Sequence, residues 1–164
     1  MLKRSVFTVF LLFSVGCSSK SATSIFKSDL LYEKGLEYSK VGDIVSSFET
    51  KAILNATYLN ATDSSKYDDA FQNFLVGVYI TEDNEDAKDN FLNNTKYKLT
   101  LNGEDINRSE ELQTTHYLWE HIPLKNPYAK YYIVSFNKKE NTNSLLLEYS
   151  NPNQGKVTLS FQGE

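Results

Sequence analysis

The fold is decided by residues 74–80, Phe74-Leu75-Val76-Gly77-Val78-Tyr79-Ile80. This short apolar run is rich in residues that favour strands, and the acidic stretch from Glu82 to Asp89 follows it. Runs of this length and composition are typical of a strand buried on both faces. The stretch therefore predicts a buried strand.

Other segments repeat the strand pattern on both sides. They are residues 52–59, 96–101, 131–136, 145–149 and 157–161. Turn residues separate them, including Asn102-Gly103 and Asn151-Pro152-Asn153-Gln154-Gly155. Six or seven short strands at this spacing predict a mainly β protein, an antiparallel β-sandwich that we expect to be immunoglobulin-like by architecture.

Two segments also allow helix. Residues 26–40 fit a short amphipathic helix capped by Ser28, with Asp29 in its first turn. Residues 52–59 belong to a tandem echo, Leu54-Asn55-Ala56-Thr57 and Leu59-Asn60-Ala61-Thr62, whose five-residue spacing fits neither a strand nor a helix. The polar residues 63–69 are expected to form a loop or a single turn.

The N-terminus has the three parts of a bacterial export signal. Lys3 and Arg4 give a basic start, an apolar run follows, and small residues precede Cys17, the only cysteine. The run is shorter than the roughly 20 apolar residues of a membrane-spanning helix. We therefore expect a signal peptide at 1–16, a polar and flexible tether at 17–25, and a single β-rich domain at 26–164.

The stretch Ser14-Val15-Gly16-Cys17 resembles the lipobox of bacterial lipoproteins. The resemblance implies cleavage before Cys17, acylation of that residue by chains such as palmitate, and anchoring in a membrane. Because Ser18 rather than Asp follows the cysteine, it further implies the outer membrane, with the domain facing the periplasm or the cell surface. A plain secretory signal with an incidental thiol is the alternative.

Composition narrows the chemistry of the exported chain. Without Lys3 and Arg4, 15 basic side chains face 21 acidic ones, a net charge of −6. This argues against nucleic acid and anionic lipid headgroups as partners. With Cys17 acylated, neither disulfide nor thiol chemistry is expected, and the common catalytic and cofactor motifs are missing from the sequence.

The histidines and the acidic run are the remaining candidates for metal or acid–base chemistry. His116 and His121 are five residues apart, so they diverge by about 140° on a helix and lie on opposite faces of a strand. We expect two separate histidines and no metal; a small hydrolase or metal-dependent enzyme using either is the alternative. The run from Glu82 to Asp89 lacks the spacing of a calcium-binding loop and is expected to be a solvated turn.

A dense aromatic set surrounds two prolines. Its members are Tyr117, Trp119, Tyr128, Tyr131 and Tyr132. Packing within the core is the plainer interpretation. The sharper hypothesis is an exposed patch in which Trp119, Tyr117 and Tyr131 bind a partner protein or a glycan, because Trp and Tyr anchor interfaces.

One modification motif stands apart from the patch. Asp105-Ile106-Asn107-Arg108-Ser109 resembles the acidic-extended acceptor sequence of bacterial N-glycosylation, which implies a glycan on Asn107. Taken together, we expect a lipid-anchored envelope protein that acts as a binding or assembly module with a protein partner and no cofactor. A carrier or chaperone that shelters an apolar ligand between its sheets is the second alternative.

Overall fold

A computed structural model describes residues 29–67, 70–81, 92–138 and 143–163. Within these ranges the chain forms two antiparallel sheets that share one core. The first sheet has the order β1 (Ser39–Ser46), β2 (Glu49–Tyr58), β3 (Phe71–Ile80), β7 (Lys130–Asn137), β6 (Arg108–Glu111). The second has the order β5 (Glu104–Asp105), β4 (Lys98–Leu101), β8 (Ser144–Asn151), β9 (Gly155–Gln162).

The predicted buried strand at 74–80 is confirmed as part of β3. β3 lies in the middle of the first sheet, hydrogen-bonded to β2 on one side and β7 on the other. The predicted mainly β class and antiparallel sandwich are confirmed as well. The immunoglobulin-like arrangement is not confirmed, because β3 stays beside β2, whereas the third strand of an immunoglobulin domain crosses to the opposite sheet.

The main core lies between the two sheets. Alternate residues of the longer strands point into it, as the two-residue period of a strand requires. Its large, fully buried members include Tyr58, Phe74, Phe136, Leu147 and Tyr149. The rings of Phe74 and Phe161, from opposite sheets, meet edge to face with centroids 5.3 Å apart. Aromatic packing therefore joins the sheets where the chain has no disulfide.

The N-terminal helix is shorter than the sequence predicted. Helix α1 spans Leu30–Glu37, and Asp29 is its N-cap, with its Oδ1 accepting from the N–H of Tyr32 at 3.2 Å. The predicted cap, Ser28, lies outside the described residues. Gly35 is buried against Pro123, whose Cγ would be 3.0 Å from a Cβ at that position. The helix gives way to β1 at Tyr38, and the sequence reading did not include this strand.

The described residues also form three short helical turns. α2 (Leu59–Thr62) and α3 (Ser64–Tyr67) follow β2, and the latter fits the expected single turn. A 3₁₀ helix, Tyr117–His121, lies between β6 and β7. None of the helices among the described residues has the length and hydropathy needed to cross a bilayer.

The sheets come closest at the corner between β1 and β9. A Cβ at Gly42 would lie 2.5 Å from Cγ2 of Val157, so only glycine allows this approach. Across the same corner, Nζ of Lys40 lies 5.7 Å from the ring centroid of Phe161. Among the described residues no ladder joins the two strands. The sandwich therefore narrows at this corner.

Candidate binding surface

The segment after β6 covers part of the outer face of the first sheet. Asn55 on β2 holds this segment, because its Nδ2 donates to the carbonyls of Pro123 at 3.2 Å and Leu124 at 2.8 Å. A second, smaller apolar cluster lies beneath it. Its buried members are Leu59, Leu75, Leu112, Leu118, Ile122 and Tyr131. The predicted aromatic region is thus a covering layer with a core of its own.

Tyr131 belongs to that second core and not to a surface. It is 2% exposed, and its ring lies over Gly77, where a Cβ would be 2.4 Å from Cε1. Its hydroxyl accepts from the N–H of Asn126 at 2.7 Å. Burial raises the pKa of Tyr131 despite that bond. Its predicted role as a binding residue is therefore corrected: the ring is inaccessible because Gly77 forms the niche that holds it.

Trp119 is half-buried and engaged on two sides. Its ring meets Tyr131 edge to face, with centroids 6.1 Å apart and planes at 87°. Nζ of Lys125 lies 4.2 Å from the Trp119 ring centroid and donates to the Trp119 carbonyl at 2.7 Å. Cation and ring attract each other in this geometry. Trp119 is thus a packing residue that still exposes part of its ring.

Tyr117 is also half-buried. Its hydroxyl donates to Oδ2 of Asp63 at 3.0 Å, and Nζ of Lys66 lies 3.3 Å from its ring centroid. Burial, the neighbouring hydroxyl of Tyr67 and the carboxylate of Asp63 raise the pKa of Tyr117. Tyr117, Asp63 and Lys66 line an open cleft of about 420 Å³ beside α1. Tyr117 therefore ties the covering segment to the turns after β2.

The accessible apolar surface lies next to the predicted residues. Val41 (47% exposed), Leu124 (53%) and Tyr128 (71%) show their side chains to solvent. Register places Val41 opposite Asn55 and Ile53 opposite Tyr79, and the rings of Tyr79 and Tyr128 are 5.9 Å apart. We name Val41, Ile53, Tyr79, Leu124 and Tyr128 the outer-face patch.

The patch is held in place by the backbone around it. Leu124 has φ 51°, a left-handed conformation that a bulky residue rarely adopts. Asn55 fixes this turn through the Leu124 carbonyl, and Oδ1 of Asn126 accepts from the N–H of Tyr128 at 2.9 Å. Sequence reasoning named Tyr128 only as a member of the aromatic set and missed Val41 and Leu124. The one sequence feature that could have indicated an exposed apolar residue here is the hydrophobic Leu124 between Pro123 and Lys125.

The two histidines end up with separate structural tasks. Nδ1 of His116 accepts from the N–H of Leu118 at 3.2 Å and so caps the 3₁₀ helix. Nδ1 of His121 lies 2.5 Å from Oδ2 of Asp29 and joins that helix to α1. In the part of the chain that the structure describes, no three metal-binding side chains come together. No observation here favours the hydrolase or metal-enzyme alternative.

Asn107 is exposed between β5 and β6. Its N–H donates to the Ser135 carbonyl at 2.9 Å, and its Nδ2 donates to Oδ1 of Asn137 at 3.1 Å. A glycan would form on that nitrogen and take one of its two hydrogens, which leaves one N–H that can still donate to Asn137. Cys17, the leader, the tether and the run from Glu82 to Asp89 lie outside the described residues.

We compared the chain with known protein families, curated proteins and solved structures. The chain matches no family model, no curated protein and no solved structure. The candidate site therefore rests on the geometry of this chain alone.

Proposed function

We propose that the protein is a lipid-anchored binding module of the bacterial envelope, held at the outer membrane by acyl chains on Cys17 and directed at a protein partner. The outer-face patch is the observation that carries the binding part. The anchor rests on the leader sequence, and it would fix where the module meets its partner.

A protein partner fits the patch better than a charged polymer does. The exposed centre is a tyrosine flanked by aliphatic side chains, and interface cores are enriched in tyrosine and depleted of charge. The polar groups at its edge, Asp43, Lys125 and Asn126, match the usual polar rim. Because Tyr79 and Asn126 already orient Tyr128, little side-chain freedom would be lost on binding.

The anchor is tested by labelling. Cells that express the full chain and are fed labelled palmitate should incorporate the label, and the protein should fractionate with the outer membrane. A Cys17→Ser variant should lose the label and move to the soluble fraction. Unlabelled wild-type protein, or membrane fractionation that survives the Cys17→Ser change, would refute the anchor.

The patch is tested with a matched pair of variants. Leu124→Ser/Tyr128→Ser should reduce recovery of envelope proteins on the tagged chain by at least about tenfold, as loss of an interface anchor does. Leu146→Ser is the control, because Leu146 is 44% exposed on β8 in the other sheet. Equal recovery on both variants and wild type would exclude the patch as the binding surface.

A further inference from the structure

The tip of the β1–β2 hairpin has an unusual turn. β1 and β2 pair as far as Ser46 and Glu49, so the loop contains only Ser47 and Phe48. Both have left-handed backbone, with φ of 53° and 64°. Positive φ at both central residues is the signature of a type I′ turn, which strongly prefers Asn-Gly. A phenylalanine in this position is an outlier, and such strain is found preferentially at functional sites.

No packing contact of the Phe48 ring with the described residues compensates for the backbone strain of this turn. Phe48 is fully exposed, so its ring is not covered by this chain's described residues. Val45, beside the turn, is 57% exposed as well. The strand register shifts between Ile44 and Val45, because β2 has one extra residue, Lys51, opposite them. A bulge of this kind re-aims side chains. The tip therefore presents two apolar side chains to solvent.

The charges around the tip indicate what it can meet. Asp43 and Glu49 are both exposed, and Nζ of Lys51, whose side chain is largely covered, lies 2.7 Å from Oε2 of Glu49. These three side chains sum to a charge of −1. A negative rim is repelled by anionic lipid and attracted by basic side chains. It therefore complements a protein pocket that is apolar inside and basic at its mouth.

We propose that the hairpin tip, residues 45–49, inserts Phe48 into an apolar, basic-rimmed pocket of a partner protein. The inference rests on the proposed function, because it names a contact of that binding module. It adds a second contact region on β1, the strand that also contributes Val41 to the outer-face patch. Phe48 is the anchor, Val45 extends the apolar contact, and Asp43 and Glu49 face the basic rim.

The first experiment places a photoreactive benzophenone amino acid at position 48 of the full chain in cells. Irradiation should give a discrete adduct with another protein, and Asp43→Lys/Glu49→Lys should lower its yield at least about fivefold. The same amino acid at position 146 is the control and should give no such adduct. A dimer of this chain, an adduct with lipid alone, no adduct, or a yield that ignores the charge reversal would each overturn the proposal.

The second experiment moves the photoreactive group to position 45 and changes the turn. Ser47→Asn/Phe48→Gly restores the favoured turn residues and removes the ring, so the hairpin should remain folded. The adduct yield from position 45 should fall at least about tenfold. An unchanged yield would show that Phe48 is not the anchor.

The two proposals fail in different ways. If the Leu124→Ser/Tyr128→Ser variant loses its envelope partner while the tip reporters give no adduct, the tip proposal is wrong and the proposed function stands. If the wild-type chain recovers no partner and neither reporter gives an adduct, both are wrong.

Discussion

Two hairpin turns in this molecule share a backbone geometry and differ in their residues. Asn102 and Gly103 join β4 to β5 with φ of 49° and 82°, and they are the pair that such a turn prefers. Ser47 and Phe48 adopt nearly the same left-handed angles without either preferred residue. The sequence therefore predicted the first turn and gave no sign of the second.

Grafting the favoured pair into the strained turn should stabilise the protein. Ser47→Asn/Phe48→Gly removes an exposed ring and relieves two unfavourable φ angles, so we expect the free energy of unfolding to rise by about 1 kcal/mol. Urea unfolding followed by circular dichroism measures the change. Gly103→Ala is the opposite control: no atom lies within 4 Å of the new Cβ, so its expected loss of about 1 kcal/mol comes from φ alone. A destabilised graft would contradict the assignment of strain at 47–48.

Two core tyrosines should respond differently to loss of the hydroxyl. The Tyr149 hydroxyl is buried with no hydrogen-bond partner among the described residues, and burial raises its pKa. The Tyr58 hydroxyl donates to Oε1 of Gln72 at 2.5 Å. Tyr149→Phe should therefore be neutral or stabilising, whereas Tyr58→Phe should lose about 1–2 kcal/mol. Thermal unfolding of the two variants side by side decides this, and a larger loss at Tyr149 would contradict it.

At the scale of elements, one tetrapeptide adopts two structures. Leu54-Asn55-Ala56-Thr57 lies in β2, and the identical Leu59–Thr62 forms α2. Long-range contacts make the difference. Asn55 donates to the covering segment, whereas Asn60 donates to the carbonyls of Tyr67 and Phe71 and accepts from the N–H of Asn73. From sequence, residues 52–59 could form either a strand or a helix, because local propensity does not distinguish the two structures there.

Strands with strong apolar patterns were predictable, and the edge strands were not. β3, β7, β8 and β9 bury alternate or continuous apolar residues, which is the signal that sequence reading detects. β6 is exposed at all four positions, and β1 has one fully buried residue, Ile44. Edge strands of this kind form through backbone pairing, and their side chains carry no period to read.

The candidate site was predictable in its region but not in its residues. The dense aromatic set of the sequence falls within the covering segment and the adjoining β7. Density cannot tell which rings are covered, because that depends on pairing across strands: Gly77 lies opposite Tyr131 and makes room for its ring. Tyr128 is free of such a niche and remains exposed. The distinction needs the register, which the sequence alone does not supply.

The link between α1 and the 3₁₀ helix should depend on pH. Partial burial disfavours the charge on Asp29, but the N–H of Tyr32 and the ring of His121 outweigh it and hold the pKa of Asp29 below its ordinary value. A depressed folded-state pKa stabilises the fold above the unfolded-state value, and this stabilisation is lost as pH falls through the folded-state pKa.

Replacing Asp29 isolates this charge. Asp29→Asn keeps an N-cap acceptor and removes the carboxylate. We expect the variant to unfold at lower urea than wild type at about pH 6, and at the same urea concentration at about pH 2.5. Glu37→Gln, at the other end of α1, should not reproduce this pattern. A gap that persists in acid would show that the Asp29 charge is not its cause.

At the scale of the whole molecule, the two cores differ in extent. The main core draws on both sheets, whereas the second lies under one covering segment. Smaller cooperative units open at lower free energy than the global fold. The amides of Leu118 and Trp119, which bond within the 3₁₀ turn, should therefore exchange with solvent faster than those of Leu54 and Val76. Hydrogen exchange by NMR measures this, and equal rates would mean that the covering segment opens only with the sheets.

The position of the hairpin tip sets how far from a lipid anchor Phe48 can reach. β1 begins at Ser39 and ends at the tip, so its eight residues carry the tip about 26 Å from Ser39. Helix α1 and Tyr38 add at most about 20 Å between Asp29 and Ser39. The twelve steps from Cys17 to Asp29 span at most about 40 Å. If Cys17 is the anchor, the tip can work no farther than about 85 Å from the lipid. Each residue removed between 18 and 28 lowers that ceiling by about 3.4 Å, so linker length selects which layers of the envelope Phe48 can reach.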